Sequence, residues 1–191
     1  QYVSVDTWGT QAEYIREGLD FDLLWKRVNQ YLEEVPSYSS ITFIITMNNL
    51  SVSNLNKLME GILKLRKTYS KDFQRVWFDT PVLTTPSWQS MQLLPEPYIM
   101  KLNRLKNWMN ANLESEDDLY HGFKDYEVKR LERDINWMQE PLSNEYVSNQ
   151  KADFYKFFNE SDKRHGTDFL TSFPEMKEWW NECNYYAEKS Q

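Results

Sequence analysis

The sequence predicts an α/β fold: three parallel strands connected by helices, followed by a helical tail. Over residues 2–79, three short β-favouring runs alternate with two amphipathic stretches, and from residue 95 onward every apolar pattern has helical spacing. Strands that alternate with helices of this length form right-handed βαβ units, in which neighbouring strands run parallel.

The predicted strands are residues 2–6, 41–47 and 75–79. The second run, ITFIITM, is apolar or β-branched throughout. A strand with one solvated face alternates apolar and polar residues, whereas a continuous run is typical of a strand covered on both faces. This run therefore favours a parallel sheet with helices on both sides.

Two helices connect these strands, with Asp20 and Ser53 as their predicted N-caps, because Asp and Ser side chains accept hydrogen bonds from the first free N–H groups of a helix. Their apolar positions recur every three or four residues: Phe21, Leu24, Trp25, Val28, Tyr31 and Leu32 in the first, then Leu55, Leu58, Met59, Ile62 and Leu65 in the second.

The acidic run ESEDD, residues 114–118, marks the predicted boundary between two parts of the chain. Residues 1–113 hold the strands and a proline-rich loop over residues 80–97, and residues 114–191 form a helical extension. Pro174 is predicted to open the last helix, because proline is favoured in the first turn.

Composition excludes several classes of function. The net charge of −7 disfavours a phosphate-binding surface for nucleic acid, and no apolar run is long enough to span a membrane. The single cysteine, Cys183, fits a reducing compartment, so a cytoplasmic protein is expected. Since Cys183 follows Trp179 and Trp180 on an apolar helix face, we interpret it as a core thiol, and His121 and His165 lack the spacing of metal ligands.

Polar residues gather where the predicted strands end. Asp6, Thr46, Asn48 and Asp79 follow or close the three runs. In parallel sheets, ligands bind beyond the carboxyl ends of the strands, so these residues together indicate a ligand site. Each of them alone could instead cap a helix or close a turn.

The stretch VSVDTWGTQAEYIREG, residues 3–18, has the parts of a nucleoside site. Ser4 and Asp6 are two positions apart and would share one side of a strand, where a carboxylate can accept hydrogen bonds from ribose hydroxyls. Gly9 permits a tight turn, and Arg16 can pair with a ligand carboxylate. Alternatively, Arg16 forms a salt bridge to Glu13 or to a neighbouring helix.

These segments resemble the later strands of twitch-domain-containing radical S-adenosylmethionine (radical SAM) proteins. The resemblance is carried by SVDTWGTQAEYIREGLDFD, ITFIITMNNLS, VWFDTPVLTTP, LLPEPY and the tail DFYKFFNESDKRHGTDFLTSFPEMKEWWNEC. It implies that the chain is the C-terminal half of a partial (β/α)6 barrel, with the three strands as its fourth, fifth and sixth, followed by a helical extension.

The resemblance also implies that eight residues bind S-adenosylmethionine. They are Ser4 and Asp6 for the ribose, Arg16 for the methionine carboxylate, Thr46 and Asn48 for the ribose or substrate, and Pro81, Val82 and Leu83 for the adenine.

The defining CxxxCxxC motif of radical SAM proteins, whose three thiolates bind a 4Fe–4S cluster, is not in this sequence. Its ligands are expected upstream of Gln1, in a missing N-terminal half of the barrel, so that this chain alone would not cleave S-adenosylmethionine. The substrate, a small molecule or a peptide, is left open.

Two other functions fit the sequence. One is a hydrolase that uses a carboxylate pair drawn from Asp6, Glu13 and Asp79. The other is a non-catalytic interaction protein whose aromatic-rich helices form the binding surface.

Overall fold

A computed structural model describes residues 1–190 of the chain and gives an open α/β arrangement. Helices make up 61% of it, and the sheet has only three strands and does not close on itself. The predicted half of a partial (β/α)6 barrel is therefore wrong. Three parallel runs do not determine closure, because closure depends on strand tilt and stagger rather than on local sequence.

The sheet has the order β1–β2–β3, and both pairs of neighbours are parallel. The strands are β1 (Tyr2–Ser4), β2 (Ile41–Ile44) and β3 (Val76–Asp79). Tyr2 lies opposite Thr42, and Ile41 opposite Val76. Each strand lies within a predicted run but is shorter than it.

Eight α-helices accompany the sheet within residues 1–190. They are α1 (Thr10–Ile15), α2 (Phe21–Glu34), α3 (Leu55–Tyr69), α4 (Glu96–Asn110), α5 (Asp125–Met138), α6 (Asn144–His165), α7 (Phe169–Ser172) and α8 (Lys177–Lys189).

Local capping explains where several helices begin. The Asp20 side chain accepts a hydrogen bond from Leu23 N at 2.8 Å, as expected for the N-cap of α2. Helix α3 begins one residue later than predicted: Ser53 closes a 3₁₀ turn, and Asn54 is the N-cap. Pro174 likewise opens a 3₁₀ turn, Pro174–Met176, that leads into α8.

One continuous hydrophobic core runs from Val5 to Cys183. In β2 the side chains of Ile41 and Phe43 are buried and those of Thr42 and Ile44 are half-buried, so one face of the strand is fully covered and the other partly. The core contains residues from both sides of the boundary at residue 113, and the division there stays a prediction. Gln191, the last residue of the predicted extension, lies outside the described residues.

The last helices pack through an aromatic cluster. Phe154 of α6 lies 4.4 Å from Trp179 of α8, between ring centroids, and Phe169 stacks on Trp180 at 4.2 Å. The indole N–H of Trp179 donates to the carbonyl of Leu93 at 3.2 Å, which ties α8 to the loop after β3. This cluster explains where much of the aromatic content is buried.

The two edges of the sheet differ. On β3, the Val76 carbonyl accepts hydrogen bonds from Arg66 Nε at 2.9 Å and from Gln74 Nε2 at 3.0 Å. On β1, Tyr2 and Ser4 point their backbone groups away from β2, because backbone direction alternates along a strand and Val5 N donates to Ile44 O. At the outer edge of β1 the Gln1 side chain donates to Tyr2 O at 3.2 Å and the other backbone groups are open, whereas two side chains bond to the edge of β3.

None of the helices in residues 1–190 is long and apolar enough to cross a membrane.

Candidate functional site

Asp6 and Arg16 form a two-point ion pair just beyond the end of β1. Arg16 Nε donates to Asp6 Oδ2 at 2.8 Å, and Nη2 donates to Oδ1 at 3.1 Å. The backbone N–H of Thr46, after β2, also donates to Asp6 Oδ1 at 3.1 Å. The structure therefore brings three of the eight predicted ligand-binding residues together at the carboxyl ends of two neighbouring strands.

The burial of the two partners differs sharply. The Asp6 side chain is 4% exposed, whereas that of Arg16 is 36% exposed. Because the Asp6 carboxylate is deeply buried and accepts three hydrogen bonds, it holds the Arg16 guanidinium in a fixed orientation. The arginine, rather than the aspartate, is the member of the pair that a ligand can reach.

Local geometry explains how a residue ten positions away reaches Asp6. Gly9 is the N-cap of α1 with φ of 65°, a left-handed conformation that favours glycine, and it reverses the chain after β1. Helix α1 then ends at Ile15, so that Arg16 points back towards the strand end. Glu13, the alternative partner, instead accepts a hydrogen bond from Phe21 N at 2.9 Å.

Asn48 lies close by but is used in a turn. Its Oδ1 accepts hydrogen bonds from Leu50 N at 2.9 Å and Ser51 N at 3.1 Å, and its Nδ2 donates to Thr46 O at 3.0 Å. The residue is 4% exposed. Asn48 therefore shapes the loop after β2, and its amide is occupied by the backbone.

The other predicted site residues lie around this pair without joining it. Ser4 is exposed, so Ser4 and Asp6 do not share an environment. Pro81, Val82 and Leu83 extend the β2–β3 pairing, since Met47 N donates to Pro81 O at 2.8 Å and Leu83 N to Met47 O at 2.9 Å. Pro81 is exposed and the other two are half-buried.

The carboxylates considered for a hydrolase are each held by a different group. Asp6 is bound to Arg16, Glu13 to Phe21 N, and Asp79 to the guanidinium of Arg130 on α5. Only Glu13 lines one of the cavities described here. No pair of these acids shares a described cavity, so the geometry gives a hydrolase no support.

A large open groove, which was not predicted from the sequence, is lined by Ile15 and Glu17 on either side of Arg16 but not by Arg16 itself. Its volume is about 710 Å³, and it lies between the end of α1, the loop after β3 and α6. Trp88 and Phe157 meet in it with ring centroids 4.4 Å apart, and His165 pairs with Glu17 at its rim at 3.0 Å. This groove is the surface on which the alternative of an interaction protein would depend.

No clear signal in the sequence indicates this groove. Phe157, next to the buried Phe158 on α6, is 50% exposed, but a single exposed aromatic residue is common on protein surfaces and does not by itself mark a binding surface. Trp88 gave no signal either, because its loop carries no periodic pattern.

Within residues 1–190, no group of three or more His, Cys, Asp or Glu side chains is placed to hold a metal ion. Cys183 is fully buried, and burial raises the pKa of its thiol. A single buried thiol cannot supply the three ligands of a 4Fe–4S cluster, so the residues present do not fit that group.

No family model, curated protein or solved structure matches the chain significantly.

Proposed function

We propose that this chain binds S-adenosylmethionine as one part of a radical SAM protein, with Arg16 as the group that receives the methionine carboxylate. The observation that carries the proposal is the two-point bond between Arg16 and the buried Asp6. This bond holds the Arg16 guanidinium in place at the carboxyl edge of a parallel sheet, where ligands of α/β proteins bind.

Arg16 has a donor group left for a ligand. Its Nε and Nη2 are occupied by Asp6, while Nη1 makes no hydrogen bond to any residue that the structure describes. A guanidinium donates hydrogen bonds from all three of its nitrogen atoms, so the outer edge of the group can bind a carboxylate without breaking the pair. Asp6 is then a positioning residue for Arg16.

The 4Fe–4S cluster that the resemblance implies would come from polypeptide outside these residues. The outer edge of β1 offers a place for such a segment, because the backbone N–H groups of Tyr2 and Ser4 and the carbonyl of Ser4 bond to no described residue there. A cytoplasmic location belongs to the same proposal, since an intact cluster and a free Cys183 both favour reducing conditions.

Calorimetric titration of the chain with two ligands tests this proposal. S-adenosylmethionine carries the carboxylate, and 5′-methylthioadenosine lacks it. We expect Arg16→Gln to weaken the binding of S-adenosylmethionine about tenfold or more, because it removes a charge-assisted hydrogen bond. It should leave the affinity for methylthioadenosine unchanged.

Arg27→Gln is the matched control, since Arg27 is exposed on α2 and bonds only to Gln30 among the described residues. It should leave both affinities unchanged. The proposal would be contradicted if Arg16→Gln weakened the binding of both ligands equally, or if S-adenosylmethionine did not bind at millimolar concentration.

A further inference from the structure

A second cavity, between α3 and α4, is lined on one side by cations. Its volume is about 330 Å³ and it is open to solvent. The lining residues are Asn54, Asn56 and Glu60 from the start of α3, and Lys101, Arg104, Leu105 and Trp108 from one face of α4. This volume lies in the usual range for small-molecule sites.

We propose that this cavity binds a phosphate monoester whose organic group is a flat ring. The phosphate lies against Lys101 and Arg104, and the ring lies against Trp108 and Leu105. The proposal does not depend on S-adenosylmethionine binding at Arg16.

The cations form a cluster that is unusual for this chain. Acidic residues outnumber basic ones by 29 to 22, yet Lys57 and Arg104 form no ion pair with any described residue. The Lys101 ammonium donates to the carbonyl of Ser53. Lys101 and Arg104 are three residues apart on one face of α4 and both line the cavity, so a bound anion would offset the repulsion between them.

The environment of Lys101 is consistent with this cluster. Burial lowers the pKa of the Lys101 ammonium, Glu175 raises it, and the smaller effects of Arg104 and Lys57 lower it again. An anion in the cavity would face two positive side chains and one negative one, Glu60.

Neutral groups in the cavity suit a phosphate and a ring. The side-chain amides of Asn54 and Asn56 form no hydrogen bond with a described residue, and amide N–H groups donate well to phosphate oxygens. The start of α3 adds a partial positive charge, which would not define a site on its own. At the other end, Trp108 and Leu105 provide an apolar wall for a ring.

Titration with phenyl phosphate, inorganic phosphate and benzoate tests the assignment. We expect phenyl phosphate to bind most tightly, because it alone uses both ends of the cavity, and its affinity to fall as salt is added. Benzoate binding as well as phenyl phosphate would overturn the phosphate assignment. Inorganic phosphate binding equally well would overturn the ring assignment.

Two single variants with opposite expected effects separate specific binding from general charge attraction. Arg104→Gln removes a positive charge from the cavity wall and should weaken the binding of phenyl phosphate about fivefold or more. Glu60→Gln removes a negative charge there and should strengthen that binding. Both positions are exposed, so neither substitution endangers folding. Lys101 is unsuitable because its ammonium also bonds to Ser53 O.

Arg27→Gln changes the net charge as Arg104→Gln does, but on α2, and should leave the affinity unchanged. Arg16→Gln should also leave it unchanged, which separates this site from the one proposed for S-adenosylmethionine. Equal effects of Arg104→Gln and Arg27→Gln, or no phenyl phosphate binding at millimolar concentration, would refute the proposal.

Discussion

Arg66 of α3 and Glu127 of α5 form a two-point ion pair in the interior, with Nη2–Oε1 at 2.7 Å and Nη1–Oε2 at 2.9 Å. Their side chains are 0% and 1% exposed. The guanidinium also donates to the carbonyls of Val76 and Gly122 and lies over the ring of Phe78. This pair joins the strand-bearing part of the chain to the helical part.

Removing one member of this pair should destabilise the fold strongly. Glu127→Leu leaves a buried guanidinium without its carboxylate, and we expect it to lower the free energy of unfolding by about 3–5 kcal/mol. Urea denaturation followed by circular dichroism measures the change. The double variant Arg66→Met with Glu127→Leu should lose less free energy of unfolding than the single variant Glu127→Leu, because no unpaired charge remains in the interior.

The exposed pair Lys129–Asp125 on α5 provides the control. Its side chains are 70% and 68% exposed, so Asp125→Ala should change stability by less than about 1 kcal/mol. If Glu127→Leu lowers the free energy of unfolding no more than Asp125→Ala does, the interior pair does not stabilise the fold.

Asp134 should make the protein less stable as pH rises. The residue is 3% exposed, its Oδ2 has no hydrogen-bond partner, and burial raises its pKa, with Arg133 and Arg130 acting in the opposite direction. The folded state therefore holds this proton more tightly than the unfolded state does. Its favourable contribution is complete below the pKa of an unfolded aspartate and is lost as pH rises through the folded value.

Comparing the wild-type protein with Asp134→Asn by urea denaturation between pH 4 and pH 8 isolates this contribution. The asparagine variant should gain stability relative to the wild type as pH rises, since it cannot ionise. A difference that stays constant with pH would show that ionisation of Asp134 does not affect folding.

Gly61 should tolerate no side chain, although it lies inside α3. A Cβ at this position would lie 2.6 Å from Cζ3 of Trp8 and 2.8 Å from Cζ2 of Trp25. We expect Gly61→Ala to destabilise the fold by about 1–3 kcal/mol from overpacking, which outweighs the helix propensity of alanine. Lys64→Ala, at an exposed position of the same helix, is the control for thermal denaturation.

A Gly61→Ala variant as stable as Lys64→Ala would mean that the two indole rings move aside at little cost.

Cys183 should react with Ellman's reagent only after unfolding. Its side chain is fully buried, and burial raises the pKa of the thiol, so both access and thiolate formation are suppressed. In guanidinium chloride one thiol per chain should react within minutes. Stoichiometric reaction of the native protein at the same rate would contradict the buried position.

Some features of the fold could be predicted from local pattern alone. The β-branched run at residues 41–47 and the apolar spacing from Phe21 onward identified β2 and α2, because both patterns follow from which faces are buried. Closure of the sheet could not be predicted, since it depends on how strands tilt and stagger. Arg66 gave no signal either, because an arginine on a helix is usually exposed and its partner lies 61 residues away.

The candidate site was predictable to a similar degree. Asp6 and Thr46 were expected near one another, because parallel strands end at a common edge, and the resemblance to radical SAM proteins implied that Arg16 lies at the same site. The pairing of Asp6 with Arg16 was not expected, since it depends on the reversal at Gly9. Asn48 was interpreted as a ligand group, but an asparagine three residues before a serine also forms a local turn, and here the turn uses its amide.

The bond from the Trp179 indole to Leu93 has a consequence for how the chain folds. The contact spans 86 residues, and the bond from Gln11 to Glu175 spans 164. Contacts so distant along the chain form slowly, because a long loop must close before they stabilise anything. Until α8 has been synthesised, the loop after β3 and helix α1 therefore lack these contacts, and the apolar surface that they cover in the folded chain stays exposed.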